Sequence, residues 1–457
     1  MKALLALGAN PPEPPAHPPA RREPASGGPR LASRILAARK LAARIDAATP
    51  AGRDRTVDAL RALAIAGVIL GHWLVTALVV TRSPAGAGVH DTSPLASHPA
   101  LAPVSWIFQT LAIFFFVGGY SAAKSFKGGY LTWLRARLAR LGRPVLVLAA
   151  VWVPVTIAMI LAGVRPSAIH TIVWLVLSPL WFLGVFAGLT ALTPLAVALV
   201  RRFGAVAALA PAAVVAGVDA ARFGLGGPAW LGWVNVGAGW LVPYLLGIAW
   251  ARGAFRGWKV PAAMLAAGAG ATAALIAWAG YPASMVGVNG ARISNLNPPT
   301  LAAVTFGVAQ VGLALLLRPA LARVMRRPLA WAPVALANLS AMTLFLWHQS
   351  AFLAVTMAGS LIGRLPGLLT PPTGAWWIAE RLAWLPAFAA ALALAWLIFH
   401  RAERSRRRSG NPGGAGRRPE AGQPAGPDDQ PAGPDGQVAD LSRSSRASCS
   451  SHSASGR

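Results

Sequence analysis

Residues 57–73 read VDALRALAIAGVILGHW, a run apolar enough to enter a bilayer that nevertheless carries Asp58, Arg61 and His72. Charged and titratable groups are costly in hydrocarbon, so each is a functional hypothesis by default. Arg61 and His72 stand eleven residues apart. On a helix that separation is three turns plus roughly 20°, with a rise of about 16 Å, so both side chains fall on one face. Asp58 precedes Arg61 by three residues, shares that face and is placed to pair with it.

Working outward, apolar runs of the roughly 20 residues that cross a bilayer recur ten times, at about 58–81, 104–123, 143–164, 170–200, 203–222, 232–251, 260–280, 299–320, 336–362 and 377–400. The fourth is long, and Pro179 is expected to kink it or to mark a short re-entrant piece. Helices are the natural choice, because a helix satisfies its own backbone in lipid. The loop charges test the count independently. Alternate loops hold Lys124, Lys127, Arg135, Arg137, Arg140 and Arg143; Arg201 and Arg202; Arg252, Arg256 and Lys259; and Arg318, Arg323, Arg326 and Arg327. The intervening loops hold one arginine each: Arg82, Arg165, Arg222, Arg292 and Arg364. By the positive-inside rule the basic loops face the cytoplasm. The sequence therefore predicts an all-α, polytopic helical membrane bundle of ten spans, in the cytoplasmic membrane, with both termini cytoplasmic.

Composition agrees. Of 457 residues 55% are hydrophobic and 12% charged, against about 25% charged in soluble proteins. The net charge of +28 falls in short loops and tails, where it meets anionic lipid, and no nucleic-acid-binding motif accompanies it. The only cysteine, Cys449, excludes an intramolecular disulfide, a Cys-based metal site and a core thiol nucleophile; no metal is expected. Residues 1–55 read as a disordered cytoplasmic extension and residues 403–457, with their PAGPD repeat, as a disordered cytoplasmic tail. The membrane domain is expected over residues 56–402. Nothing in the sequence sets an oligomeric state.

Other polar groups fall within or beside the spans. TLFLWHQSA places His348 at a depth similar to His72, so that the two could line one polar cavity; equally, a membrane histidine can simply hydrogen-bond a neighbouring helix. In YLTWLRARLARLGRP, Arg137, Arg140 and Arg143 recur every third residue. On a helix they lie along one side, a stripe suited to phosphate oxygens, although ordinary positive-inside charge would look the same. Asp219 with Arg222, and Glu380 with Arg381, read as paired anchors at helix ends. SMVGVNGARISNLNPPT reads as a turn-rich cap, with Ser294, Asn295 and Asn297 as a weaker candidate sugar contact.

Together these segments resemble the acyltransferase-3 family of membrane O-acyltransferases, over residues 53 to about 400. The family's first-helix Arg-x10-His signature corresponds to RALAIAGVILGH, its phenylalanine-rich second helix to AIFFFVGGYSAAKSF, and its arginine-rich hairpin to RARLARLGRP. Its LWFL segment appears in SPLWFLGVFAGLTALTP, and its late Ser-aromatic-Leu-x-His segment in LSAMTLFLWHQ. Where many members have Ser-Gly-Phe on the second helix this chain has Gly118-Gly119-Tyr120, so a role for that serine is not carried over, though Ser121 is adjacent. Some members carry a fused extracytoplasmic esterase-like domain; this chain reads as a stand-alone member.

The resemblance implies transfer of an acyl group, commonly acetyl, from cytoplasmic acyl-CoA to a hydroxyl of a carbohydrate or other glycosylated acceptor. Arg61, Arg137, Arg140 and Arg143 would hold the CoA phosphates. The pantetheine arm would run along the first helix to His72, the general base, whose imidazole suits proton transfer near neutral pH. Asp58, Trp181 and His348 are expected to line or support the cavity. Asp58 lies about 21 Å from His72 along a straight helix, so any group orienting the imidazole must come from another span. The alternative is a polytopic transporter without acyl-transfer chemistry, against which the two halves show no clear internal repeat.

Overall fold

The computed structural model describes residues 27–403, apart from residues 84, 85 and 289. The tail expected beyond residue 403 and the first 26 residues of the N-terminal extension lie outside the described residues. Among the described residues ten helices are long and apolar enough to cross a membrane: Arg55–Val75, Pro99–Ser125, Tyr130–Leu161, Pro166–Ala191, Thr193–Gly224, Ala229–Ala251, Lys259–Trp278, Leu301–Val324, Ala341–Ile362 and Trp376–Phe399. The molecule is an all-α polytopic membrane bundle, and these are its first to tenth spans.

Several boundaries differ from the expectation for physical reasons. The first span stops at Val75 rather than near 81. Thr76 leaves helical geometry at φ −93°, ψ 120°, and the β-branched run that follows forms a strand, Ala77–Ser83, paired antiparallel with Gly86–Thr92. The third span begins thirteen residues before the expected 143, so the basic hairpin is the opening of a 32-residue helix that runs through a buried Pro144. The fourth breaks at Ser178–Pro179 and ends at Ala191. Residues 193–200, read as its tail, belong with residues 201–203 to the fifth span, which bends at Gly204 with φ +61°. Before the ninth span, Pro328–Leu339 forms a separate short helix that ends at Ser340. Within the expected extension, residues 27–47 are helical. That helix is tied down by Asp46 against Arg55 at 2.6 Å, and beyond its end Trp331 Nε1–H donates to Thr49 Oγ1 at 2.8 Å.

Lipid tails are as apolar as leucine, so helix association depends on close packing of small residues. The second and sixth spans meet in this way. A Cβ on Gly119 would run into the Tyr244 carbonyl, and one on Gly247 into the Phe116 carbonyl. The same contact stacks Phe116 on Trp250 at 5.0 Å and Phe115 on Trp240 at 5.1 Å. The seventh and eighth spans meet through Gly268 and Gly312. The first span leans on the second, ninth and tenth, and the functional side chains gather around it.

Candidate active site

The second and fourth spans are interrupted, and both interruptions line one cavity of about 230 Å³ that the first span also lines. In the second span the helix breaks at Gln109–Thr110. Three hydrogen bonds hold the break: Gln109 Oε1 accepts from Leu111 N–H at 2.9 Å, Thr110 Oγ1 donates to the Ala64 carbonyl of the first span at 2.7 Å, and Gln310 Nε2 of the eighth span donates to the Gln109 carbonyl at 2.5 Å. In the fourth span the break is Ser178–Pro179. Irregular backbone at membrane depth is tolerated only inside protein or beside a cavity, and here both breaks face the same one. His72, Trp181 and Gln349 also line it.

The His72 imidazole is held from the ninth span. Its Nδ1 lies 3.2 Å from Gln349 Nε2. A carboxamide can present either its N–H or its carbonyl to a ring nitrogen, and the two ends are interchangeable in shape. With the carbonyl turned to Nδ1–H, the lone pair of His72 is on Nε2, the form a general base requires. The His348 ring lies 5.1 Å away, tilted at 47°. His348 is fully buried behind the cavity; its Nδ1–H donates to the Phe345 carbonyl at 2.6 Å, while Nε2 has no partner among the described residues. Because a carbonyl only accepts, His348 carries its proton on Nδ1. Trp73 Nε1–H donates to the His348 carbonyl at 3.0 Å, which ties the first span to the ninth at this level.

A second cavity, of about 270 Å³, lies toward the other end of the same helices and is lined by Arg61, Ser121, Arg137, Arg140 and Asn338 among others. Arg61 is fixed on three sides: one terminal nitrogen lies 3.1 Å from Asp58 and 3.3 Å from Asn338 Oδ1, and the other donates to Ser121 Oγ at 2.6 Å. Asp58 is buried and also binds Arg53 at 2.5 Å. Arg137 reaches the same serine, donating to its carbonyl at 3.0 Å and to Ser125 Oγ at 2.5 Å; its Nε is buried with no partner among the described residues. Two guanidiniums thus converge on Ser121 with a third, Arg140, beside them. Planar N–H forks in a cavity of net positive charge suit phosphate oxygens.

A family model described as an acyltransferase domain, that of the acyltransferase-3 family, matches residues 54–400. The chain belongs to that family. No curated protein and no solved structure matches the chain. The matched stretch takes in all ten spans and both cavities of this membrane acyltransferase.

Within the acyltransferase the residues singled out from sequence divide between the two cavities. Arg61, Arg137 and Arg140 line one, with Asp58 paired to Arg61; His72 and Trp181 line the other, with His348 packed behind His72. Arg143 is not among the lining residues. A spacing of three on a helix turns −60° per step, so Arg143 points about 120° away from Arg137. Gln349 and Asn338 escaped the sequence reading because it weighed titratable groups, and neutral amides in apolar runs carry little signal; Ser121 was visible there only as a neighbour of a missing motif serine.

Among the described residues neither expected anchor pair, Asp219 with Arg222 or Glu380 with Arg381, forms a direct ion pair. Asp219 accepts from Asn235 Nδ2 at 2.9 Å, from Tyr281 Oη–H at 3.0 Å and from Leu301 N–H at 2.7 Å, so it caps the eighth span, and Arg222 acts on it as a nearby charge without a direct ion pair. Burial together with the Asp219 carboxylate pushes the Tyr281 phenol pKa up. Arg381 is fully buried and donates to the carbonyls of Trp73, at 2.7 Å, Gly367, at 2.8 Å, and Thr76. It thereby closes the end of the first span just beyond His72. In the loop before the eighth span, Ser294 Oγ accepts from the N–H groups of Leu296 and Asn297, and the buried Asn295 binds Pro282, Ser284 and Thr300. That loop is the turn-rich cap its composition implied.

Proposed function

We propose that this membrane acyltransferase moves an acyl group, commonly acetyl in its family, from acyl-CoA to a hydroxyl of a carbohydrate or glycosylated acceptor. One observation carries the reading: a cavity with converging arginines and a cavity with an imidazole lie along one helix, with Arg61 and His72 about 16 Å apart. That separation is of the order of an extended pantetheine arm. Arg61, Arg137 and Arg140 bind the phosphates of the donor, and the thioester is delivered to His72.

In the reaction the acceptor oxygen attacks the thioester carbonyl, His72 takes the hydroxyl proton, the C–O bond forms and the C–S bond breaks. The proton then passes to the departing thiolate, giving free CoA. Gln349 orients the imidazole. The indoles of Trp174 and Trp181, which line the His72 cavity with Asp91 and Ser93, supply the flat faces and polar edges that sugar rings use. The concentration of basic residues in loops at the Arg61 end supports a cytoplasmic donor side, cytoplasmic termini and residence in the cytoplasmic membrane. On this reading the ten-span domain of residues 56–402 is the catalytic unit.

The test uses purified protein in lipid nanodiscs, wild type beside His72→Ala and Arg61→Ala, following acyl-CoA binding and CoA release with and without a cell-envelope extract as acceptor. Acceptor-dependent CoA release is expected from wild type. His72→Ala is expected to bind donor without releasing CoA, and Arg61→Ala to bind it weakly. A folded wild-type sample that binds neither acetyl-CoA nor longer acyl-CoAs overturns the donor assignment.

A further inference from the structure

The arginine cavity and the His72 cavity are separate, yet they share two wall residues, Phe182 and Phe345. Every helix that lines both orders its residues in the same way. Along the first span Arg61 and Ile65 face one cavity and Val68 and His72 the other; along the ninth, Ala341 and Met342 face the first and Gln349 the second. Phe345 falls between them on the ninth span. On the fourth span, Phe182 sits between Trp181 on the His72 side and Leu183 and Phe186 on the arginine side. The cavities are therefore stacked end to end along the bundle, and the partition between them is aromatic.

The two rings are not equivalent. Phe182 is wedged edge-on against Phe114 at 4.8 Å and Phe115 at 4.9 Å, and it also meets Trp181. Among the described aromatic rings, Phe345 meets Phe182 at 5.4 Å and His348 at 6.0 Å. Both phenylalanines are buried. The surroundings of Phe182 make it a fixed post, while Phe345, which lines the same two cavities, has fewer ring contacts among the described residues.

We propose that Phe345, closing against Phe182, is the gate between the two cavities and the residue that sets the bulk of the group able to pass from one to the other. The chemical passenger, an acyl thioester arm, rests on the reading under Proposed function; the barrier itself does not. In the closed arrangement seen here a donor held at the arginines cannot meet an acceptor at His72, so the ring must turn aside for transfer, and the width of the gap it leaves limits the acyl chain.

The experiment places a single cysteine at Val68, on the His72 side of the partition, in a Cys449→Ser background. The protein is reconstituted in oriented vesicles and exposed to a membrane-impermeant methanethiosulfonate reagent from one face at a time. With Phe345 intact, modification is expected from the His72 face and not from the Arg61 face. Adding Phe345→Ala is expected to raise the rate from the Arg61 face about tenfold or more, the change produced by roughly 1.4 kcal/mol off a barrier. Phe345→Leu, which keeps more of the side-chain volume, is expected to give a smaller rise and serves where the alanine variant does not fold. Equal modification from both faces with Phe345 intact, or no rise in either folded variant, overturns the gate. Because no acyl-CoA is present, that failure is separable from failure of the donor assignment. In a second arm, Phe345→Ala is expected to shift turnover toward hexanoyl-CoA over acetyl-CoA; an unchanged preference in an opened variant overturns the selectivity role.

Discussion

Replacing Gln349 by leucine separates the orientation of His72 from every other role of the site. Gln349 is fully buried; its Nε2 lies 3.2 Å from His72 Nδ1, and its Oε1 has no partner among the described residues. Leucine has a similar volume. It removes one neutral hydrogen bond, worth about 0.5–1.5 kcal/mol, but also removes the other end of the carboxamide, a buried polar group without a partner among the described residues whose burial costs about 1–3 kcal/mol. The two terms oppose, so the variant is expected to unfold thermally close to wild type. The imidazole, however, loses the group that holds Nδ1. If the same 0.5–1.5 kcal/mol is lost from the transition state, the rate of acyl transfer falls about 2- to 13-fold. Gln349 is absent from the lining of the arginine cavity, so donor affinity is expected to stay within about twofold, well inside the tenfold that 1.4 kcal/mol represents. The assay is single-turnover CoA release in nanodiscs at saturating acyl-CoA, with donor affinity measured separately. Gln349→Glu, which presents only acceptors to an Nδ1–H, is expected to be faster than the leucine variant. Turnover of Gln349→Leu at the wild-type rate, or a loss shared equally with donor affinity, would refute the positioning role.

Two further outcomes concern the frame around the site. Arg381→Met orphans the carbonyls of Trp73, Gly367 and Thr76; at about 1 kcal/mol each, the low end for buried unpaired groups, it is expected to destabilise the protein by at least about 3 kcal/mol. An unchanged thermal midpoint in detergent would contradict that accounting. Gly247→Ala drives a Cβ into the Phe116 carbonyl where the second and sixth spans cross. It is expected to cost about 1–3 kcal/mol by overpacking, read as a lower midpoint, whereas Gly237→Ala, which meets nothing within 4 Å, leaves the midpoint in place and serves as the control.

Much of the fold was legible without coordinates, because in lipid each span must satisfy its own backbone and so announces itself locally as an apolar run. Local reading reached its limit wherever the apolar signal continued through a break. Residues 193–200 read as a continuation of the fourth span because Leu192 and its neighbours are as apolar as the helices on either side, and residues 77–81 of the first strand read as helix because β-branched residues suit both in a membrane. The break at Gln109–Thr110 gave no signal, since what makes it affordable is a carbonyl of the first span and an amide of the eighth.

The sequence by itself determined the class of protein, the number of spans and the placing of Arg61 and His72 on one helical face, all properties of hydropathy and helical pitch within single segments. Tertiary structure decided which side chains meet. Arg137 joins Arg61 across Ser121 while Arg143 turns away, Gln349 rather than a carboxylate holds His72, and two phenylalanines from different spans stand in the walls of both cavities. The physical reason is the solvent: between helices in lipid there is no hydrophobic force to leave a pattern in the sequence. Their pairing is set by close approach at glycines and by hydrogen bonds between residues on different spans.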